Sequence, residues 1–371
     1  MSKNKNIILL PLLLLVSFVG LYVIPMPESQ GAVADATYPA EIEAILNETI
    51  EGDTYLQEIR RRINSGPDIG KRVTILNDES FARTHRDFQV GDEVMLTENP
   101  VQETYYISDY VRSDALIWLF AIFIAIVLAV TGWQGLGSLL GMALSFMVMF
   151  KIVLPMIIAG GNPVTSAIIG AAFIIPLTFY SSHGFSRKTT IAVAGTFITL
   201  VLSGILAVIF ADVAHLTGLA SEEIIYLREA TADAIDFKGL VLAGMIISIL
   251  GVLDDITISQ ASVVSQLKGA KKSIKFSELF TRAMKVGKDH IASLVNTLIL
   301  VYTGASLPLL ILFIDSAQSI TEIINYEFMA EEIVRTLIGS IGLIMAVPIT
   351  TILAAFFIGK GNSEEHSHCC H

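Results

Sequence analysis

The stretch Gly251-Val252-Leu253-Asp254-Asp255-Ile256-Thr257-Ile258-Ser259-Gln260-Ala261-Ser262 decides how this chain is read, because it lies inside an otherwise apolar run from Leu240 to Val264. Such a run can cross a bilayer as a helix, for which ~20 residues suffice. A carboxylate in the hydrocarbon layer costs about 2.5 to 3.5 kcal/mol on insertion scales, and it persists where it faces a polar cavity or a partner. The two adjacent aspartates therefore predict a membrane protein with an internal polar site. Wound at about 100° per residue, Asp254, Asp255, Ser259, Ser262 and Ser265 fall within one arc of about 140°, with Thr257 and Gln260 outside it. Counted inward from Leu240 at about 1.5 Å per residue, Asp254 lies about 21 Å into a layer about 30 Å thick, in its inner half. The plainer alternative is a helix ending at Leu253, with Ile256 to Val264 continuing along the membrane surface.

Composition agrees with the membrane reading. Of 371 residues, 53% are apolar and 16% charged, and the mean hydropathy is +0.66. Those values exclude a conventional single soluble core. Apolar runs of spanning length occur at Ile7 to Ile24, Leu116 to Val130, Gly135 to Ala159, Val164 to Tyr180, Ile191 to Phe210, Leu240 to Val264, Leu294 to Ile314 and Leu337 to Ile358. The expected fold is thus an α-helical polytopic membrane protein with about eight transmembrane helices.

The net charge of −11 is sorted by segment, and the sorting predicts topology. Lys3 and Lys5 precede the first run, Arg187 and Lys188 follow the fourth, and Lys268, Lys271, Lys272, Lys275, Arg282, Lys285 and Lys288 separate the sixth from the seventh. By the positive-inside rule these ends are cytoplasmic, so both termini lie inside. The acidic connections Ala211 to Phe237 and Asp315 to Glu332, together with Glu28 to Asp114, then lie outside.

Four regions follow: residues 1–25 as an N-terminal anchor or signal-like segment, 26–114 as an extracytoplasmic domain, 115–358 as a seven-helix transmembrane domain, and 359–371 as a cytoplasmic tail. Ala32-Val33-Ala34 has the small residues of a signal cleavage site, but it lies far from the apolar core, which favours an uncleaved anchor. Within the exported region, Arg72 to Leu76 and Glu93 to Leu96 alternate like strands. Ser65-Gly66-Pro67-Asp68-Ile69-Gly70 and Val90-Gly91-Asp92 read as turns. A small β barrel of oligonucleotide-binding-like shape is expected, acting as a cap or docking module. Its acidic surplus argues against nucleic acid as a partner.

Candidate substrate- or ion-binding side chains are Asp254, Asp255, Thr257, Ser259, Gln260 and Ser262 on the sixth run, Asn296, Thr297 and Thr303 on the seventh, and Asn162 on an outer turn rich in glycine and proline. Hydroxyls and amides can hydrate an ion, but they also hydrogen-bond helices to one another, which is at least as common. His183, His290 and Asp289 stand where they can relay protons, though each such residue is more often a solvated interfacial one. The end of the tail gathers His366, His368, Cys369, Cys370 and His371, a donor set that suits zinc or copper. Without structural-site spacing this is a weak metal-binding tail, and no other cofactor is predicted. Both cysteines lie in this tail, so no disulfide supports the exported region.

The stretch around Asp254 closely resembles the signature of the YibE/F-like family of bacterial membrane proteins. Asp289-His290-Ile291-Ala292-Ser293 with Asn296-Thr297, Gly304-Ala305-Ser306-Leu307-Pro308, Gly161-Asn162-Pro163-Val164 and His183-Gly184 look like that family as well. Asp109-Tyr110 with Arg112, and Ser221-Glu222-Glu223, fit too, so the resemblance covers most of residues 90 to 350. It implies a multipass protein of the bacterial cell membrane, described as a permease. The long outer domain resembles the larger, YibE-like member of a pair, which implies a homologous membrane partner or a homo-oligomer.

The leading functional expectation is a secondary transporter, an exporter or exchanger driven by protons or sodium, for an unidentified small solute. Side-by-side carboxylates resist simultaneous ionisation, which suits one of them to carry a proton. No GxxxxGK[ST] loop is present to use nucleotide. A receptor or assembly subunit acting through the outer domain is the alternative. An intramembrane aspartyl protease fits less well, because adjacent aspartates project about 100° apart on one helix and do not converge on one water. No enzymatic activity is expected.

Overall fold

The computed structural model describes residues 37–51, 54–64, 69–80, 88–99, 104–231, 235–308, 310–311 and 319–360. The first apolar run, Ala32-Val33-Ala34 and the tail's metal-binding set lie outside the described residues. The chain divides between Ala129 and Val130 into two compact units.

Among the described residues the smaller unit holds five strands, β1 (Thr37–Glu51), β2 (Thr54–Ile63), β3 (Arg72–Ser80), β4 (Glu93–Asn99) and β5 (Thr104–Tyr110). They form one sheet in the order β3-β2-β1-β4-β5, with every pairing antiparallel. The edge strands β3 and β5 approach each other, so the sheet curls. Alternation explains its core: Ile59 and Ile63 of β2 point inward with Ala40 and Ile42 of β1 and Val94 and Leu96 of β4, while Arg60 and Arg62 point out. Register slips between Ile42 and Ala44 and between Ile45 and Asn47 bend β1, as bulges do. Gly91 turns the chain into β4 at φ 97, a conformation that glycine adopts without strain. Both strand stretches expected from alternation lie inside β3 and β4. The helix α1 (Ser113–Thr131) follows β5.

The larger unit contains α2 (Trp133–Ile158), α3 (Pro163–His183), α4 (Arg187–Val213), α5 (Glu222–Thr231), α6 (Phe237–Ala270), α7 (Phe276–Ala305), α8 (Ile320–Ile324) and α9 (Glu327–Lys360). Caps set the starts. Asn162 accepts from the Thr165 amide at 3.0 Å with Pro163 in the first helical turn, Ser186 accepts from Thr189 at 3.1 Å, and Asp236 accepts from Gly239 at 2.9 Å. At Met149–Val153 the backbone of α2 widens into one π-helical turn.

The central helix is α6, which packs against α3, α4, α7 and α9, while α2 lies on α3. Small residues permit these close approaches. Gly137 of α2 meets the Ser181 backbone of α3, Gly195 of α4 meets Thr350 of α9, and Gly287 of α7 meets Val347 of α9. Met245, Ile249 and Leu253 of α6 are buried in this core with Ile175 of α3 and Leu343 of α9.

Among the described residues, six helices are long and apolar enough to cross a membrane: α1, α2, α3, α4, α6 and α9 up to Gly359. They match six of the eight expected spans, α2 ending one residue short of Ala159. The expected span Leu294 to Ile314 is not reproduced among the described residues. Leu294 falls in the middle of α7, whose first half carries Glu278, Arg282, Lys285, Lys288 and Asp289, and the helix ends at Ala305. Nor does the sixth run break at Leu253. Phe237–Ala270 is one continuous helix of 34 residues, about 51 Å long.

Candidate functional site

Along α6 the polar side chains have three different surroundings. Asp254 is half-buried, and its Oδ1 is buried without a hydrogen-bond partner among the described residues. It lines a pocket of about 250 Å³ shared by Met142, Ser145, Phe146 and Met149 of α2, Ile174 and Thr178 of α3, and Gly251 of α6. Met149 opens the π-helical turn, a distortion frequently found at functional sites. The neighbouring Asp255 is exposed, with His183 at the end of α3 within electrostatic reach. The two carboxyls therefore do not share one environment.

Thr178 lies against the Asp254 carboxyl. Its hydroxyl donates to the carbonyls of Ile174 and Ile175 at 3.0 and 3.1 Å. A hydroxyl has one proton and two lone pairs, so Thr178 meets a protonated Asp254 with a lone pair and meets the ionised form only by turning its proton away from the helix carbonyls. Thr178 stands five residues before His183, which puts Asp254 about 7.5 Å from the end of α3. Added to the about 21 Å counted from Leu240, this gives about 29 Å, close to one hydrocarbon thickness.

Thr257 and Gln260 face helices instead. The Thr257 hydroxyl lies 2.7 Å from that of Thr196 on α4, and Gln260 donates to the Ala283 carbonyl on α7 at 3.1 Å and to Thr351 on α9 at 2.7 Å. All four side chains are satisfied across helix contacts. Ser262 donates to its own helix at Ile258, 2.8 Å away, and Ser259 is half-buried.

The remaining candidates lie apart from the pocket. Asn296, Thr297 and Thr303 are exposed on α7, where Thr297 donates to Ser293 at 3.1 Å and Thr303 borders a different cavity with Tyr302 and Glu332. Asn162 caps the far end of α3, sixteen residues from Thr178, or about 24 Å. Asp289 is exposed and His290 half-buried on α7. Among the described residues no group of three or more histidine, cysteine, aspartate or glutamate side chains is arranged to hold a metal.

Sequence patterning gave no sign of Thr178, Met142 or Met149, whose side chains belong to no polar stripe. A second unforeseen feature lies in the sheet. Arg61 of β2 is fully buried, its guanidinium 5.7 Å from the centre of the Phe88 ring, and no group among the described residues accepts from Nε, Nη1 or Nη2. Burial pushes its pKa down to about 9, because desolvation disfavours the charged form.

A family model described as YibE/F-like protein matches residues 119–360, which takes in α2 to α9 with the Asp254 pocket. The chain belongs to the YibE/F-like family. No curated protein and no solved structure matches it. With six helices of spanning length, this YibE/F-like protein is a multipass membrane protein.

Proposed function

We propose that this YibE/F-like protein is a proton-coupled secondary transporter of the bacterial plasma membrane, an exporter or exchanger with both termini cytoplasmic, in which Asp254 alternately carries a proton and contacts cargo. The observation that carries this reading is the buried, unpartnered Oδ1 of Asp254 in a pocket between three helices. Groups of this kind inside membrane helices mark substrate and proton pathways. A protonated Asp254 can donate to a lone pair of Thr178, whereas the ionised form can draw a proton only from that one hydroxyl, which also faces the Ile174 and Ile175 carbonyls. Deprotonation thus leaves a charge that a cargo cation can satisfy.

The exposed Asp255 and the nearby His183, at the end of α3 that precedes Arg187 and Lys188, support proton exchange with cytoplasmic water. Thr196, Thr257, Gln260 and Thr351 fix the helices around the pocket rather than the cargo. Resemblance to the larger member of a pair makes a homologous subunit the natural partner.

The test is flux in sealed liposomes containing the purified protein, with and without such a subunit, comparing the native chain with Asp254→Asn. The reading requires solute flux driven by a proton gradient and lost in Asp254→Asn. Undiminished flux in a folded Asp254→Asn protein, or no flux across a broad panel, refutes it.

A further inference from the structure

We propose that the Asp254 pocket takes an organic monocation, a small quaternary ammonium or similarly poorly hydrated ion, in exchange for one proton. This rests on the transporter reading and names its cargo class. The argument begins with what the pocket lacks. Its polar contributors are Ser145, Thr178 and Asp254, so at most four side-chain oxygens are available. Both hydroxyl protons already go to backbone carbonyls, that of Ser145 to Gly141 at 2.9 Å. Hard metal ions need more: about six to eight oxygens for calcium and a near-ideal octahedron for magnesium. Met142 and Met149 supply thioethers, which suit a soft ion such as copper(I), but the only charged ligand is a hard carboxylate.

What the pocket offers is a hydrocarbon wall with one charge. Phe146, Ile174, Ile247 and Leu250 join the two methionines around Asp254. An ammonium coated with alkyl groups buries its surface against such walls and needs no hydrogen-bond donors. An aromatic face and polarisable sulfur add attraction. One ionised carboxylate matches one positive charge, which selects monocations over dications. At about 250 Å³ the pocket lies just below the usual range for drug-sized ligands, which favours small tetraalkylammonium ions.

The charge environment makes this an exchange. Asp255 on α6 is the titratable neighbour of Asp254, with His183 of α3 and Lys188 of α4 beyond it, and the pocket face of α2 carries no titratable group. No basic side chain lines the pocket to replace the cation. Asp254 is therefore neutralised either by a proton or by the cargo, and each cation that enters releases one proton to water.

The probe is tetraethylammonium, with tetrapropylammonium, sodium, calcium and silver(I) as comparisons. Binding to the purified full chain in lipid nanodiscs is measured by calorimetry in buffers of different ionisation enthalpy. The expected result is tetraalkylammonium binding that releases about one proton, with affinity rising about tenfold per unit increase in pH over the range where Asp254 is protonated in the free protein. Asp254→Asn, with its folding verified by thermal unfolding, abolishes binding. Phe146→Ala, at an exposed position that does not disturb the core, weakens it about 2- to 5-fold while leaving proton release unchanged. Binding of sodium, calcium or silver without tetraalkylammonium overturns the proposal. So does tetraalkylammonium binding that is independent of pH or retained in Asp254→Asn. Because equilibrium binding needs no transport, proton-exchanging binding without liposome flux would refute the transporter reading alone, and Asp254-dependent flux without tetraalkylammonium binding would refute the cargo class alone.

Discussion

Replacing Arg61 by methionine is expected to stabilise the curled sheet, although it removes a large buried side chain. The guanidinium lies in an apolar core beside Phe88 with no acceptor among the described residues. The drop from the ordinary guanidinium value to about 9 corresponds to about 5 kcal/mol against the charged form, a ceiling on the gain. Loss of the ring contact offsets about 0.5 to 2 kcal/mol. The net gain is expected at about 1 to 4 kcal/mol, the range found when buried charges give way to apolar groups of similar volume.

The pH dependence has a definite sign. In the folded sheet burial holds the Arg61 pKa down to about 9, well below the ordinary guanidinium value it has in the unfolded chain. Between those values the unfolded state binds more protons, so stability rises with pH, while below about 9 the penalty is constant and complete. Pulse proteolysis of the full chain in urea, reading cleavage within β2, checks both. Arg61→Met should raise the midpoint by about 1 M, and the native midpoint should climb above about pH 9 while that of the variant stays flat. A lower midpoint in the variant would refute the reasoning, since it would mean that the charge stabilises the sheet.

Two further substitutions probe the helix contacts, both by equilibrium unfolding in mixed micelles. A Cβ at Gly137 would fall on the Ser181 carbonyl oxygen, which is backbone and cannot swing away, so Gly137→Ala should destabilise by about 1 to 3 kcal/mol. Gly244→Ala, where nothing lies within 4 Å, should be neutral or slightly stabilising. Gln260→Leu removes the donations to the Ala283 carbonyl, which keeps its own helical partner, and to Thr351, with an expected loss of about 0.6 to 2 kcal/mol.

Hydropathy alone places six helices of spanning length, because an apolar run of ~20 residues has few other uses. Of the run Leu294 to Ile314, the part up to Ala305 forms the second half of a longer helix whose first half is charged, and residues 309 and 312–314 lie outside the described residues. Alternation likewise locates β3 and β4. The candidate site was legible at Asp254, since a carboxylate stands out against hydrocarbon. Its surroundings were not, because Thr178, Met142 and Met149 meet Asp254 only through the packing of three helices. The wheel separates Asp254 from Thr257 and Gln260, yet it cannot say which arc faces protein. Here Thr257 and Gln260 are the more deeply buried, at 0% and 3% exposure.

The π-helical turn of α2 is a difference of phase between two halves of one span. Val148 and Val153 are both buried, yet five steps of about 100° would set them about 140° apart on an unbroken α-helix. Taking up one surplus residue cancels one step and leaves about 40°, so Leu144 and Val148 before the turn share a side with Val153 and Ile157 after it. Read as a plain α-helix, the same letters describe a stripe that switches sides midway. The span is thus one residue out of step with its own pattern, and comparison of its two halves with any regular repeat requires a gap at Met149–Val153.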